Sequence, residues 1–352
     1  MSAESGREAE GEIAGEVSTT ARGPTAEGAR SAAVVAAGIF LSRVSGLVRE
    51  MVLAGFLATG VAADAFRAAI RIPNLLQNLL GEGSLSAAFI PVYSRMRAEG
   101  REQDAGRLAG AVAGLLAAVA ALLVLVALFA AEPLTAILAP GFSGRAHELT
   151  VDFVRIATAG VGALVLSAWC LGILNSHGRF FLPYVAPVVW NLAQVAAVVA
   201  AAVAHWTEAD LATAACWGVL VGGFAQFLVQ LPSVLRVERC LVVSPSTRAP
   251  GVRDVLRRFG PAVLGRGTVQ VMAYVDLVLA SLLAVGAVAA LGYAQVLYML
   301  PISLFAMSVA AAELPALSAT PRSLGVCGTR VGRGLAGVLL HASHRRLLRA
   351  GR

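Results

Sequence analysis

Charged side chains occur inside the first two long apolar stretches of this sequence. Arg67 and Arg71 are four residues apart and therefore share one face of a helix. Ser42, Ser45 and Arg49 are spaced by three and then four residues, which gives an otherwise apolar helix one polar stripe. Arginines outnumber acids here, and guanidinium groups pair well with phosphate oxygens, so the pattern favours an anionic ligand that carries phosphate. The charged residues of this region are Arg43, Arg49, Glu50, Asp64, Arg67, Arg71 and Glu82.

A structural role for the same charges is the alternative. Arg43 with Glu50 and Asp64 with Arg67 could form ion pairs, and arginines near helix ends could extend to the membrane interface. A charge at the centre of a bilayer costs roughly 2.5–3.5 kcal/mol, so such groups face a cavity or one another. The surplus of arginine favours a cavity for the set as a whole.

The composition indicates which elements must position these residues. Hydrophobic residues make up 58% of the 352 residues and charged residues only 14%, whereas soluble domains have roughly 25% charged residues. All 28 basic residues are arginine, and against 21 acids they give a net charge of +7, which in so apolar a chain points to membrane topology rather than to nucleic acid. The sequence contains no metal-ligand cluster, disulfide framework or enzyme nucleophile motif, so we expect neither a metal site nor an enzyme.

The hydropathy pattern predicts an all-α polytopic integral membrane protein with about eight transmembrane helices. A span needs roughly 20 apolar residues to cross the hydrocarbon core. The stretches that meet this requirement are 31–57, 65–94, 108–131, 151–174, 180–204, 211–235, 259–284 and 291–316.

The distribution of arginine predicts the orientation of these spans. The odd-numbered connections, 58–64, 132–150, 205–210 and 285–290, contain a single arginine, Arg145, whereas the even-numbered connections are rich in arginine. Because cytoplasmic loops carry the excess of basic residues, both termini are predicted to be cytoplasmic. Residues 1–30 are predicted to be a disordered tail and residues 320–352 a basic tail.

Several sequence blocks resemble the MurJ/MviN family of lipid II flippases, in the multidrug/oligosaccharidyl-lipid/polysaccharide exporter superfamily. The most specific are SRVSGLVRE (42–50) and ADAFRAAIRIPNLLQNLLGEGSLSAAFIPVYS (63–94). The resemblance covers about residues 31–319 and implies a transporter in the bacterial cytoplasmic (inner) membrane. Its substrate would be the undecaprenyl-diphosphate-linked cell-wall precursor, moved from the inner to the outer leaflet. The other similar blocks are APGF (139–142), LNSHGRFFLPYVAPVVWN (174–191), GPAVLG (260–265) and YAQVLYMLPISLFAMSVAAAELPALS (293–318).

The resemblance also assigns roles to individual residues. Asp276 falls at a polar position that helps to hold a coupling sodium in some members, and a structural hydrogen bond is the alternative for it. Two positions depart from the family pattern, since Gln77 and Val296 stand where many relatives have arginine. No cofactor is expected, and coupling to Na+ or to the membrane potential stays open. The residues that match substrate-binding positions are Arg43, Arg49, Asp64, Arg71 and Asn74.

The resemblance predicts a first lobe of six helices at residues 31–236 and the first two helices of a second lobe at 259–316. After about residue 319 the pattern departs from the family, and we interpret this as a truncation or a frameshift. The expected partners are the lipid-linked precursor, membrane lipids and the cell-wall synthesis machinery, with no nucleic acid. Two other functions are compatible with the sequence: export of another polyprenyl-diphosphate-linked saccharide, or a membrane homologue that does not transport.

Overall fold

A computed structural model describes residues 26–299 of the chain. The chain divides into two compact units, residues 30–298 and residues 1–29 together with 299–352, and only a few residues of the second unit are described. Helix α1 begins at Ala26, inside the stretch that was predicted to be a tail. The predicted basic tail at 320–352 lies outside the described residues.

The described residues form helices joined by short connections, and no strand occurs between residues 26 and 299. The helices are α1 (Ala26–Leu57), α2 (Val61–Ala69), α3 (Arg71–Leu80), α4 (Glu82–Ala98), α5 (Glu102–Phe129), α6 (Ala131–Leu138), α7 (Arg145–Ala159), α8 (Val161–Ser176), α9 (Phe181–Val203), α10 (Glu208–Val237), α11 (Val252–Ser281) and α12 (Ala287–Met299).

Several helical runs in this part of the chain are long and apolar enough to cross a membrane. The first predicted span lies within α1, the second is divided among α2, α3 and α4, and the eighth continues past the last described residue. The prediction of an all-α, multi-pass membrane protein is therefore confirmed, while the number of eight spans stays a prediction. The five qualifying runs are Glu102–Phe129, Arg145–Ser176, Phe181–Val203, Glu208–Val237 and Val252–Ser281.

The second predicted span is broken at two points. Ile70 ends α2 and begins α3, and Gly81 separates α3 from α4. The Gly81 N–H donates to the Gln77 carbonyl at 2.7 Å, and a Cβ at Gly81 would lie only 2.2 Å from that oxygen. Glycine is thus needed at this turn.

Glycines allow α10 to approach two neighbouring helices at backbone distance. A Cβ at Gly160, between α7 and α8, would lie 2.8 Å from the Leu220 Cα. A Cβ at Gly218 would lie 2.7 Å from the Gln194 Cα on α9. Small residues at such crossings are the usual way in which membrane helices pack closely, because lipid supplies no hydrophobic force between them.

The connection between α10 and α11 lies against α5. We call residues 240–245 the seated segment, because they run along Gly106, Gly110 and Gly114 of that helix. A Cβ at Gly110 would lie 1.9 Å from the Val242 carbonyl oxygen, and the Ser244 N–H donates to the Gly110 carbonyl at 3.3 Å. One turn of α5 separates successive glycines, so they form a groove for an extended backbone.

Two large apolar clusters hold most of the described helices together, and a smaller third cluster contains Leu277 of α11 and Val288 of α12. One large cluster contains Phe66 of α2 and Phe153 of α7, and the other contains Phe89 of α4 and Trp169 of α8. The indole N–H of Trp169 donates to the Ala109 carbonyl at 3.0 Å, so this buried ring is satisfied. The first cluster also fixes α2, which carries two of the charged residues considered below, Asp64 and Arg67.

Candidate functional site

A buried carboxylate lies between two guanidinium groups of different helices. Arg49 Nη2 donates to Glu50 Oε1 at 2.5 Å, and Arg67 Nη2 donates to Glu50 Oε2. The side chains of Arg49, Arg67 and Glu50 are 17%, 9% and 8% exposed. Glu50 therefore joins α1 to α2 through one carboxylate that serves two cations.

Helix α9 fixes Arg49 from the other side. The Arg49 guanidinium lies 4.8 Å from the centre of the Trp190 ring, and Arg49 Nη1 donates to Asn191 Oδ1 at 3.2 Å. The Asn191 amide in turn donates to Ser45 Oγ at 2.8 Å. Arg49 Nε is buried and has no hydrogen-bond partner among the described residues, so one donor of this guanidinium group is unused.

Arg67 and Arg71 both reach α12. The Arg67 guanidinium lies 4.4 Å from the centre of the Tyr293 ring. Arg71 Nη2 donates to Gln295 Oε1 at 2.9 Å, and the Tyr274 hydroxyl of α11 donates to the Arg71 carbonyl at 3.2 Å. The arginines of α2 and α3 thus bring the first predicted lobe into contact with the helices that follow residue 252.

Asp64 caps the start of α12. Its Oδ2 accepts from the Gly286 N–H at 2.6 Å and its Oδ1 accepts from the Ala289 N–H at 2.7 Å. The residue is only 3% exposed. Both carboxylate oxygens are occupied, and a negative charge at a helix N-terminus is favourable, so this geometry favours a structural role.

The remaining residues assigned from the sequence lie outside this hydrogen-bonded cluster, although Asp276 is near enough to Arg71 for their charges to interact. Arg43 on α1 and Asp276 on α11 are exposed, and Asn74 on α3 is half-buried. None of these three side chains has a hydrogen bond or ion pair to another described residue. Asp64 and Arg71 are thus linked through their contacts with α12, Arg49 is linked to Arg67 through Glu50, and the other three residues have no hydrogen bond or ion pair to this network.

A cavity of about 400 Å³ opens between α3, α4, α8, α9 and α11. Six of its nine described lining residues are polar. Of the described side chains that line it, only Arg266 is charged. The lining residues are Gln77, Asn78, Gly83, Ser86, Ile90, Leu171, Asn175, Tyr184 and Arg266.

A separate polar cluster joins the ends of α4, α8 and α10. The Tyr93 hydroxyl donates to Glu238 Oε2 and lies 2.9 Å from His177 Nε2. Since the single hydroxyl proton goes to Glu238, His177 must donate through Nε2. Burial, together with the positive charges of Arg97 and Arg179, lowers the pKa of His177 to about 4, so the ring is neutral at physiological pH.

The ion pairs considered from the sequence are wrong. Glu50 pairs with Arg49 and Arg67 rather than with Arg43, which lies two helical turns away on α1. Asp64 caps α12 instead of pairing with Arg67. Sequence reasoning also missed Trp190 and Asn191 as partners of Arg49, although both lie in the block 174–191 that the resemblance singled out.

Comparisons with known proteins agree on one family. A family model described as lipid II flippase MurJ matches residues 53–323. The chain is 34% identical over 284 residues to the lipid II flippase MurJ of Burkholderia cenocepacia, an alignment that covers 79% of this chain and 54% of that protein. The chain thus spans about half the length of the curated relatives it matches.

Solved structures show the same fold. A lipid II flippase MurJ in an inward closed conformation matches with a TM-score of 0.66 and 24% identity, over 80% of this chain and 57% of that one. An inward-facing multidrug resistance MATE transporter of the MOP superfamily matches with a TM-score of 0.58 and 17% identity, over 77% and 62% of the two chains. Since the family match covers well over half of the sequence, this chain belongs to the lipid II flippase MurJ family, a family of transporters rather than enzymes.

Proposed function

We propose that this chain carries the diphosphate-binding lobe of a lipid II flippase. The substrate would be an undecaprenyl-diphosphate-linked cell-wall precursor, moved from the inner to the outer leaflet of the bacterial inner membrane. The observation that carries the proposal is the largely buried set of Arg49, Arg67 and Arg71. Among the described residues, Glu50 is the carboxylate that forms ion pairs with this set, while Arg71 binds the neutral Gln295 and Asp64 is engaged by α12. A surplus cation in a membrane interior needs an anionic partner.

Individual residues take different parts in this proposal. Arg49 would bind a phosphate oxygen through its unused Nε–H, while Trp190 and Asn191 hold its guanidinium plane in position. Arg43, Arg71 and Asn74 would add further contacts as the substrate enters. We assign Asp64 to positioning α12, because both of its oxygens are already occupied. Asp276 is retained as the residue that would bind a coupling cation.

A chimera tests the transport activity. In the Burkholderia cenocepacia relative, the segment that aligns with this chain is replaced by residues 31–319, and the chimera is expressed in cells depleted of their own flippase. We expect growth together with precursor in the outer leaflet. Arg49→Ala should abolish both without lowering the amount of chimera in the membrane, and Arg49→Lys should restore them only in part, since an ammonium group cannot reproduce the planar fork.

The matched control is Arg101→Ala, because Arg101 is exposed and its described ion-pair partners, Glu99 and Asp104, are 46% and 29% exposed. Full activity of the Arg49→Ala chimera would overturn the role proposed for this arginine. A membrane-inserted chimera that supports no transport, beside a chimera with the same boundaries from the Bdellovibrio bacteriovorus relative that does, would overturn the proposed function itself.

The orientation with both termini in the cytoplasm is also part of the proposal and is supported by the arginine bias. Single cysteines at positions 101 and 248 of a cysteine-free chain should be shielded from an impermeant thiol reagent in intact cells. Cysteines at positions 145 and 207 should react. The opposite labelling pattern would reverse the orientation.

A further inference from the structure

The connection between α10 and α11 runs along α5 and then turns back. A Cβ at Gly106 would lie 2.7 Å from the Cys240 Cβ, and a Cβ at Gly114 would lie 2.7 Å from the backbone at the other end of the seated segment. The chain then returns, because a Cβ at Gly251 would lie 3.4 Å from Leu108 Cδ2. The connection is therefore a loop whose tip lies beside Gly114 and whose two ends lie beside the first turns of α5.

The tip of this loop lies beside the apolar part of α5. Arg107 is the last charged residue of that helix, and the sequence after it is uncharged as far as residue 131. Gly114 follows Arg107 by seven residues, which places it about 10 Å further along the helix axis. Since Glu102–Phe129 is long and apolar enough to cross a membrane, the tip reaches the depth of the hydrocarbon core. We call residues 240–251 the re-entrant loop.

The side chains of the re-entrant loop divide into two sets. Leu241 and Ala249 pack against the apolar cluster that contains Phe89. Val242 and Val243 are instead 61% and 64% exposed. Two exposed valines at this depth favour contact with acyl chains, because burial in lipid removes their apolar surface from water.

The backbone at the tip suits an apolar environment as well. Non-helical backbone is tolerated in the hydrocarbon core only where its polar groups are satisfied. The Ser244 N–H donates to the Gly110 carbonyl at 3.3 Å, and the Ser246 N–H donates to the Ser244 carbonyl at 2.7 Å. Pro245 between them has no N–H. The three residues at the tip therefore leave no backbone N–H group free.

Exposed arginines lie near both ends of the re-entrant loop. Arg239 precedes it, and Arg248 lies on its returning limb. Neither side chain forms an ion pair with another described residue. Long arginine side chains can extend from apolar surroundings to the lipid head groups, whose phosphates attract them. The charges of the loop are therefore placed where head groups would meet them, on either side of its apolar tip.

We propose that the re-entrant loop inserts into the membrane leaflet next to the start of α5 and anchors the connection between α10 and α11 to lipid. Val242 and Val243 contact acyl chains, and Arg239 and Arg248 contact phospholipid head groups. In the orientation proposed above, this leaflet is the cytoplasmic one. The proposal concerns attachment to the lipid surface and does not depend on the transported substrate.

Spin labels test the depth of the loop. A nitroxide is attached to Val243→Cys in the cysteine-free full chain, in nanodiscs of phosphatidylethanolamine and phosphatidylglycerol. Oxygen concentrates among acyl chains and a nickel chelate in water, so the ratio of the two collision rates reports depth. The references are Arg101→Cys, which is exposed before the apolar run, and Leu122→Cys, which is 60% exposed within it.

The oxygen-to-nickel ratio at position 243 should be several-fold higher than at position 101 and should approach the ratio at position 122. A ratio equal to that at position 101 would place the loop in water and overturn the proposal. A label at position 243 that is shielded from both oxygen and nickel would show that protein covers the loop, and would overturn it equally.

Hydrogen exchange tests whether lipid holds the loop in place. Val243 is exposed within the protein, so the charge of Val243→Asp is unfavourable only if lipid surrounds it. Peptides that cover residues 240–251 should exchange about 10-fold to 100-fold faster in the same nanodiscs, the range expected for a charge between the head groups and the bilayer centre. Val243→Leu is the matched control and should leave exchange unchanged. Unchanged exchange in Val243→Asp would contradict insertion, whatever the chain transports.

Discussion

Replacing Glu50 by alanine removes the carboxylate that Arg49 and Arg67 share. The three side chains are nearly buried, with exposures of 17% or less, so water cannot replace the lost partner. Two guanidinium groups would then be left close together without a counter-charge. Each would lose a charged hydrogen bond, and each would repel the other in a medium of low dielectric constant.

The expected size of this effect follows from measurements on other buried ion pairs. Removing one partner of such a pair costs about 3–5 kcal/mol in unfolding free energy, which for a chain of this class corresponds to a decrease in Tm of about 6–20 °C. The assay is thermal unfolding in nanodiscs, followed by tryptophan fluorescence. Arg67→Met should cost much less, because it leaves the Arg49–Glu50 pair balanced.

The control is Glu99→Ala. The Glu99 side chain is 46% exposed and forms ion pairs with the exposed arginines Arg95 and Arg101. Exposed pairs contribute about 0–1 kcal/mol, so its Tm should change by a few degrees at most. A Glu50→Ala chain that unfolds at the same temperature as Glu99→Ala would refute the reasoning. It would mean that the guanidinium groups find other partners or are solvated in the membrane.

Three further perturbations follow from the same contacts. Asp64→Ala should lower stability by about 0.5–2 kcal/mol through loss of the cap on α12, and a loss of farnesyl diphosphate affinity at unchanged Tm would instead assign the carboxylate to the substrate. Gly110→Ala should lower Tm, because the added methyl group would displace the seated segment from α5, whereas Gly162→Ala, where a Cβ meets nothing within 4 Å, should leave Tm unchanged. Equal changes in Tm for the two variants would contradict the close approach of the seated segment to α5. Because the pKa of His177 is lower in the folded chain than in the unfolded chain, the unfolded chain binds the proton first, and the free energy of unfolding should decrease as the pH falls from about 6.5 towards about 4. His177→Gln should remove this part of the pH dependence, and an NMR titration of His177 with a midpoint near 6.5 would contradict the lowered pKa.

Hydropathy and charge predicted the class of fold well, because the energetic cost of exposing backbone and charge to lipid constrains sequence strongly. The long helices α5, α9 and α10 coincide with predicted spans. The second span was predicted as one stretch, 65–94, and the structure divides it at Ile70 and Gly81. Pro73, three residues after Ile70, lies in the first turn of α3, where a proline is tolerated.

The site was predicted less completely, because its partners come from distant parts of the chain. The residue types at Arg49 and Arg71 indicated a membrane cavity, but the sequence contains no signal that Asp64 would meet the N-terminus of a helix more than 200 residues later.

The seated segment limits how far α11 can travel. Residues 240–245 are fixed along α5, so only residues 246–251 remain as a tether to the first turn of α11. About six extended residues reach at most about 20 Å. Gly251 restricts this tether further, because its backbone packs closely against α4: a Cβ at Gly251, which has a φ of 80°, would lie 2.5 Å from Met96 Cε. Any rocking of α11 against the first helices must therefore pivot close to its own N-terminus, with its far end sweeping the larger arc.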